Sequence, residues 1–233
     1  MMTTKTPLLK RFQEAEQELL INHSTLFPVK KGAYVFMEGD EADRIFFIKE
    51  GTIRIHKQLD AGKEVTIFVR KEEDGFGEIG PFSGDTYSCS ARAETDGQIY
   101  AITRKQIESI LHNNAPIATG FLKWVAESLE TSSSKLKDYM VYQTGGAVAS
   151  VLIRLANTTG RKTENGIVIE PMMTHYEIAT HIGSTRETVN RFLTNWRNDG
   201  IIEVNSKKLV IKDIDFLRGL LGCDRCGVQN CVI

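Results

Sequence analysis

Three cysteines crowd into the last eleven residues of this chain, at Cys223, Cys226 and Cys231, in the pattern C-x2-C-x4-C. A fourth, Cys89, stands far away in a segment of short β-type runs and reads as a small core residue. Thiolates favour zinc or iron–sulfur centres among biological metals. Two cysteines three apart can grip one centre, and Gly222 and Gly227 let the backbone wrap it. Zinc would need a fourth ligand to close a tetrahedron, and no further cysteine or nearby histidine follows. A [4Fe-4S] cluster also needs four attachments, one of which can be a different donor. A tail of free thiols, a structural zinc and an iron–sulfur centre all remain open on spacing alone. No nucleophile–base pattern, P-loop or dinucleotide fingerprint accompanies these cysteines. The five histidines, at 23, 56, 112, 175 and 181, are scattered, so an enzyme is not expected.

The second group able to do chemistry lies between Met173 and Gly200. Thr174 with Glu177, and Ser184 with Glu187, each fit the S/T-x-x-E capping box and predict two helix starts ten residues apart. Ile182-Gly183-Ser184 between them is a short turn, so the segment predicts a helix-turn-helix. On the second helix Val189, Phe192, Leu193 and Trp196 form an apolar stripe at i, i+3, i+4, i+7. The opposite face carries Arg186, Glu187, Asn190, Arg191 and Thr194, with Ser184 and Thr185 at its start. Arginine can pair bidentately with guanine, glutamate can accept from cytosine and asparagine can pair with adenine. The runs Ile201–Val204 and Leu209–Lys212 flank Asn205-Ser206-Lys207-Lys208, a hairpin whose tip lysines suit phosphates. These features predict a winged helix-turn-helix that reads double-stranded DNA.

The elements that must position these groups come in order along the chain. Short runs at Ala33–Met37, Arg44–Ile48, Thr52–His56, Val65–Val69 and Gln98–Ile102, punctuated by glycine turns, predict a closed β sandwich or barrel. Helical patterning takes over after Arg104. From Pro116 to Gln143 the positions Leu122, Val125, Leu129, Ser132, Leu136, Tyr139 and Gln143 alternate at spacings of three and four, as a coiled-coil seam does. A helix of that length, about 40 Å, is too long to bury on one small domain, so a homodimer is expected. Thr144-Gly145-Gly146 is expected to break it. The resulting organisation is α+β: residues 1–113 a β sensor domain, 114–145 a dimerisation helix, 146–222 the DNA-binding domain and 223–233 a cysteine-rich tail.

Charge distribution agrees with this order. The chain of 233 residues has net charge −1, but residues 1–145 hold 18 Lys+Arg against 21 Asp+Glu, while 146–233 hold 11 against 9. The second part is therefore net +2, the sign that contact with phosphates requires. With 41% hydrophobic and 25% charged residues and no apolar run of about 20, the composition predicts a globular protein with no membrane span. Residues Met1 to Arg11 lack an apolar signal core, which predicts a cytoplasmic location.

The motifs resemble the Crp–Fnr family over nearly the whole chain. The matching residues are Gly32, Gly39-Asp40, Ile48-Lys-Glu-Gly51, Phe76-Gly-Glu-Ile-Gly80 and the more specific Ser184-Thr-Arg-Glu-Thr-Val-Asn-Arg191. The resemblance implies a double-stranded β-roll of the cyclic-nucleotide-binding type. It implies Arg186, Glu187 and Arg191 as base readers, a TGTGA-type inverted repeat, and RNA polymerase as a partner. Cyclic-nucleotide-binding members place an Arg-Ser pair on the phosphate. Here the stretch is Asp85-Thr-Tyr-Ser-Cys-Ser90, with no arginine before Arg92, so a cyclic nucleotide is not expected, although Thr131 and Ser132 match positions that touch the base. A C-terminal cysteine triplet resembles the Fnr regulators of Bacillus and its relatives. That likeness implies a [4Fe-4S] cluster on Cys223, Cys226 and Cys231, completed by an aspartate of the dimerisation helix. Asp138 is the one aspartate between Pro116 and Gln143, with Glu127, Glu130 and Asp224 as rivals. It further implies an oxygen-responsive regulator of anaerobic respiration genes, active without oxygen.

Overall fold

The computed structural model describes residues 6–59, 64–205, 208–223 and 231–233. The chain divides into two compact units, Thr6–Ala126 and one containing Glu127–Ile233.

In the first unit a short 3-10 turn, Leu9–Arg11, and a helix, α1 (Glu14–Asn22), precede eight strands. These are β1 (Thr25–Val29), β2 (Tyr34–Phe36), β3 (Arg44–Glu50), β4 (Ile53–Gln58), β5 (Glu64–Arg70), β6 (Gly75–Phe76), β7 (Ser90–Ala93) and β8 (Gly97–Thr103), with helix α2 (Ile79–Ser83) after β6. They form two four-stranded antiparallel sheets, β1-β8-β3-β6 and β2-β7-β4-β5. Phe36, Phe46, Ile48, Ile53, Ile55, Phe68, Phe76 and Ile99 fill the space between them. This is the expected β-roll, with each predicted run inside or overlapping a strand. A buried polar group, His56, packs among Arg54, Glu64 and Arg92; Arg54 pairs with Glu64 at 2.6 Å and Glu94 at 2.8 Å. Helix α3 (Arg104–Asn113) starts on a Thr103 capping box and buries Ile107 and Ile110. Helix α4 (Ala115–Val141) follows, its early residues Ile117, Phe121 and Trp124 closing a second core with Leu8, Phe12 and Leu20.

The second unit takes the rest of α4 and adds α5 (Gln143–Thr159), β9 (Arg161–Thr163), β10 (Gly166–Ile169), α6 (His175–Ile182), α7 (Arg186–Asn198), β11 (Ile202–Asn205), β12 (Lys208–Ile211) and α8 (Ile214–Leu220). Its sheet runs β11-β12-β10-β9, so the predicted wing hairpin is extended by a second hairpin that the sequence pattern did not announce. The core joins Val148, Val151, Leu152 and Leu155 of α5 to Ile178, Val189, Leu193, Trp196, Leu209 and Leu217.

The helix break lies earlier than the glycines suggest. The long helix ends at Val141, and Gln143, with φ +56°, turns the chain directly into α5. Gly145 and Gly146 sit inside that next helix, where packing replaces turning as their role. A Cβ on Gly146 would lie 2.3 Å from the Tyr142 Cβ, and one on Gly145 3.0 Å from the Phe192 ring.

Candidate nucleic-acid interface and cysteine tail

The helix-turn-helix is α6 and α7. Thr174 caps α6 with a reciprocal Glu177 capping box, as expected. Gly183 ends it in the left-handed region at φ +63°, which only glycine adopts without strain. The second cap differs from the expectation. Because the Ser184 N–H closes the turn onto the Ala179 carbonyl at 3.0 Å, the first extended residue is Thr185. Thr185 caps α7 by accepting from the Thr188 N–H at 3.2 Å, in place of the Ser184–Glu187 box.

That shift leaves Glu187 outside a reciprocal capping box, its carboxylate engaged within the first turn of α7 instead. Its carboxylate is held below the usual range, first by its own N–H and then by the Thr185 hydroxyl, so it stays an acceptor at neutral pH. Arg186, Glu187, Asn190 and Arg191 are all exposed, while Val189, Leu193 and Trp196 are buried. The helix thus presents its polar face outward and anchors its apolar face, as a base-reading helix must. His175, at the start of α6, is pushed below its ordinary value by burial and then by the charge of Arg186. In the wing, Lys208 opens β12 and Lys212 pairs with Glu203 at 3.1 Å. Ser206 and Lys207 lie outside the described residues.

The C-terminus folds back onto this unit. Beyond the end of α8 at Leu220, Gly222 turns the chain at φ +57°, and Cys223 and Cys231 both pack against the domain core. Cys226 and Asp224 lie outside the described residues, and among the described residues no three His, Cys, Asp or Glu converge as a metal-binding set. The last residues are tied to α5. Asn157 donates to the Cys231 carbonyl at 2.8 Å, Arg154 to the Val232 carbonyl at 3.2 Å, and the Ile233 N–H to Thr158 Oγ1 at 3.2 Å.

Arg154 is the centre of this latch, and sequence reasoning missed it. It is 0% exposed and also donates to Ser134 Oγ at 2.8 Å, Ser150 Oγ at 3.1 Å and Asp138 Oδ2 at 2.9 Å. Asp138 Oδ2 accepts from the Ser150 hydroxyl as well, at 2.7 Å. A buried guanidinium therefore joins the α4 aspartate to the end of the tail. The available signal was an arginine inside the otherwise apolar run Val151–Ala156, where a charge needs a partner. Of the rival carboxylates on α4, Glu130 is exposed and Glu127 half-buried. One residue along, the Tyr139 hydroxyl is buried with no hydrogen-bond partner among the described residues; burial is the main cause raising its ionisation above the ordinary range.

The seam positions of α4 divide. Leu122, Leu129 and Leu136, seven residues apart, are 68, 66 and 59% exposed. Met140 and Val141 extend the bare stripe and were not among the expected seam residues. Ser132 is half-exposed, Val125 packs on the first unit's own core, and Tyr139 is half-buried with its hydroxyl turned inward. Thr131 is buried and donates to the Glu127 carbonyl at 2.8 Å.

Inside the β-roll, the pocket beside Phe76-Gly77-Glu78 holds about 40 Å³ and is lined by Ile55, Phe68, Arg70, Tyr87, Ser88 and Cys89, among others. Small-molecule sites run to about 300–1,000 Å³. The one cation among its described lining residues, Arg70, pairs with Asp74 at 2.9 Å and lies over the Phe68 ring. Cys89 is buried as expected, and burial pushes its thiol up to about 11. No helix among the described residues is long and apolar enough to cross a membrane.

Residues 26–114 match the family described as cyclic nucleotide-binding domain, and residues 146–220 the Crp-like helix-turn-helix domain. The chain is 33% identical over 218 residues to the Bacillus subtilis "Anaerobic regulatory protein", covering 93% of this chain and 92% of that one. It is 28% identical to a "CRP-like cAMP-activated global transcriptional regulator" of Mycobacterium tuberculosis over 80% of this chain and 84% of the relative. Among solved structures, CooA from Carboxydothermus hydrogenoformans superposes with a TM-score of 0.79 at 23% identity, covering 93% of this chain and 96% of that one. A β-roll, a long helix and a capped, outward-facing α7 with matching relatives along nearly the whole length leave one assignment: the chain belongs to the Crp–Fnr family of DNA-binding transcription regulators.

Proposed function

We propose that this protein is an oxygen-responsive regulator of anaerobic metabolism, working in the cytoplasm with RNA polymerase. As a homodimer it binds a TGTGA-type inverted repeat and holds a [4Fe-4S] cluster on Cys223, Cys226, Cys231 and Asp138. The observation that carries this reading is the latch around Arg154. It sets Asp138 of α4 and the backbone beside Cys231 on the same buried guanidinium. The donor set fits the cluster. Asp138 uses Oδ2 for Arg154 and Ser150, and no hydrogen bond to its Oδ1 is seen among the described residues, which suits single-oxygen ligation. The name of the Bacillus subtilis relative supports the anaerobic role, and the 40 Å³ roll pocket argues against a nucleotide as the signal.

When bound, the cluster supplies an iron–sulfur centre that oxygen degrades. The chain's own residues convert that loss into geometry. Asn157, Arg154 and Thr158 hold the chain end against α5, while Asp138 reaches the same place from α4. With the thiolates and Asp138 engaged together, α4, α5 and the tail are fixed as one body. Released, the tail no longer restrains α5, against which α6 and α7 pack. At the DNA, Arg186, Glu187 and Arg191 read base edges, helped by Asn190 and by Ser184 and Thr185 at the helix start. Lys207 and Lys208 serve the phosphates. The bare Leu122, Leu129 and Leu136 stripe supports pairing of two α4 helices.

The test is anaerobic purification with iron and sulfide quantified per protomer, alongside Cys223→Ser, Cys226→Ser and Cys231→Ser. Four irons and four sulfides in the wild type, lost in each variant together with oxygen-sensitive operator binding, is the expected result. Zinc without sulfide would overturn the cluster and leave the DNA-binding assignment standing.

A further inference from the structure

One sheet of the roll has β1 at its edge and the other has β2. A cavity of about 360 Å³ reaches both strands, against about 40 Å³ beside Phe76-Gly77-Glu78, and it falls within the range of small-molecule sites. Its lining is aromatic and acidic. Phe36, Phe46 and Tyr87 are buried, with the Phe36 ring centroid 3.7 Å from Tyr87 and 5.7 Å from Phe46. Phe27 of β1 and Tyr34 of β2 stay exposed, at 38 and 42%. The loop after β2 adds Asp40, Glu41 and Asp43, and Arg44 is the one cation of the lining among the described residues, so three negative charges stand against one positive. Arg44 is already paired with Asp43, at 3.4 Å. Asp40 Oδ2 accepts from the Met37 N–H at 2.7 Å, which fixes the loop without neutralising the charge. Glu41 makes no side-chain hydrogen bond or ion pair among the described residues. Arg104 and Lys105 share a neighbouring hollow with Glu41 and Asp43, but Arg104 is taken by Glu108 at 2.8 Å, and Lys105 forms no ion pair among the described residues.

We propose that this cavity binds a small organic ammonium ion, its charge at Glu41 and Asp43 and its body against Tyr34 and Phe27. The face of an aromatic ring is negative and attracts a cation, and carboxylates at the rim of an apolar hollow strengthen that attraction. A neutral apolar molecule would leave the carboxylates without a counter-ion, and they would repel a phosphate or any other anion. The backbone argues for a free molecule rather than an added peptide strand. Pro28 interrupts the donors of β1, and the register shift between Tyr34 and Phe36 breaks the ladder of β2, so neither edge offers a regular template. Every lining residue belongs to the first unit, so the site does not depend on the cluster reading. It gives the sensor domain a chemical input of its own.

The test titrates the full-length protein at low salt with choline, and with the neutral alcohol in which carbon replaces the choline nitrogen. Binding is read by saturation-transfer NMR and calorimetry. Choline should bind saturably at millimolar concentration or below, and the neutral isostere roughly tenfold more weakly. Tyr34→Leu keeps apolar area but removes the π face, and should weaken choline on the order of threefold to tenfold, whereas Tyr34→Trp should match or exceed the wild type. Glu41→Gln should weaken choline and flatten its dependence on salt, since a charge near the surface is screened. Both side chains are exposed, so the variants should melt with the wild type. No saturable choline binding at millimolar concentration would overturn the proposal. So would equal affinity for the isostere, or wild-type affinity in both Tyr34→Leu and Glu41→Gln. An arginine-rich peptide that binds this cavity where choline does not would make it a protein-docking surface, and would overturn the proposal too.

Discussion

Removing Asp138 should unbalance the most costly group in the second unit. Arg154 is fully buried, and among the described residues its charge is met by one carboxylate, 2.9 Å away, with Ser134, Ser150 and the Val232 carbonyl accepting from three of its other N–H groups. Breaking a buried pair from one side leaves an uncompensated charge and costs about 3–5 kcal/mol. With an m-value of about 2 kcal/mol per M, the urea midpoint of Asp138→Leu should fall by roughly 1.5–2.5 M, and that of Arg154→Met by a similar amount. The double variant replaces both charges by apolar groups of comparable volume. Its loss should therefore be smaller than the sum of the two single losses by about 2–3 kcal/mol. The assay is urea denaturation of cluster-free protein at one protomer concentration, followed through buried Trp196 in a Trp124→Phe background. Single losses under about 1 kcal/mol, or a strictly additive double variant, would refute the view that this pair latches α4 to α5. The same experiment protects the ligand assignment. A drop in DNA binding by an Asp138 variant counts as loss of ligation only if it exceeds what the cluster-free stability loss explains.

Three further outcomes are expected. Arg186→Ala should weaken binding to a TGTGA-type palindrome by about 1–3 kcal/mol per half-site, while barely changing affinity for random DNA; equal losses on both would remove Arg186 as a base reader. Leu129→Glu places two like charges in the bare stripe of α4 and should give a monomer with poor operator binding, whereas a tight dimer in sedimentation would move the interface elsewhere. Burial and then the Arg54 charge hold His56 below its ordinary 6.5, so the unfolded chain takes up that proton first. Stability from this group is complete above about pH 6.5 and declines as pH falls below it, by at most about 1.4 kcal/mol per pH unit. Glu64, also held low, adds a further loss as pH falls below 4.5. His56→Gln should flatten the stability profile on the acid side of pH 6.5, and an unchanged slope there would contradict this assignment.

Much of the architecture was legible in local patterns because local physics decides it. Alternating strands with glycine turns, the Thr174–Glu177 box, Gly183 and the Val189–Trp196 stripe each depend on neighbours a few residues away. These gave the roll, the long helix, the helix-turn-helix and its outward polar face. The exposed Leu122, Leu129 and Leu136 follow equally from a period of seven. Other features needed the fold. Whether a threonine or the serine before it caps α7 depends on which N–H closes the preceding turn, and Ser184 was already engaged with Ala179. Gly145 and Gly146 looked like a break, but they are small because Phe192 and Tyr142 pack against them; the turn itself fell to Gln143, a residue with no turn signature. The tail shows the contrast most clearly. The spacing of Cys223, Cys226 and Cys231 names a soft-metal chemistry by itself, since ligand type is a property of the residues. Where that chemistry would be anchored is not such a property. Arg154 lies 16 residues from Asp138 and 78 from Val232, and only the folding of α4, α5 and the chain end onto one another brings a guanidinium, a carboxylate and a carbonyl within hydrogen-bond reach.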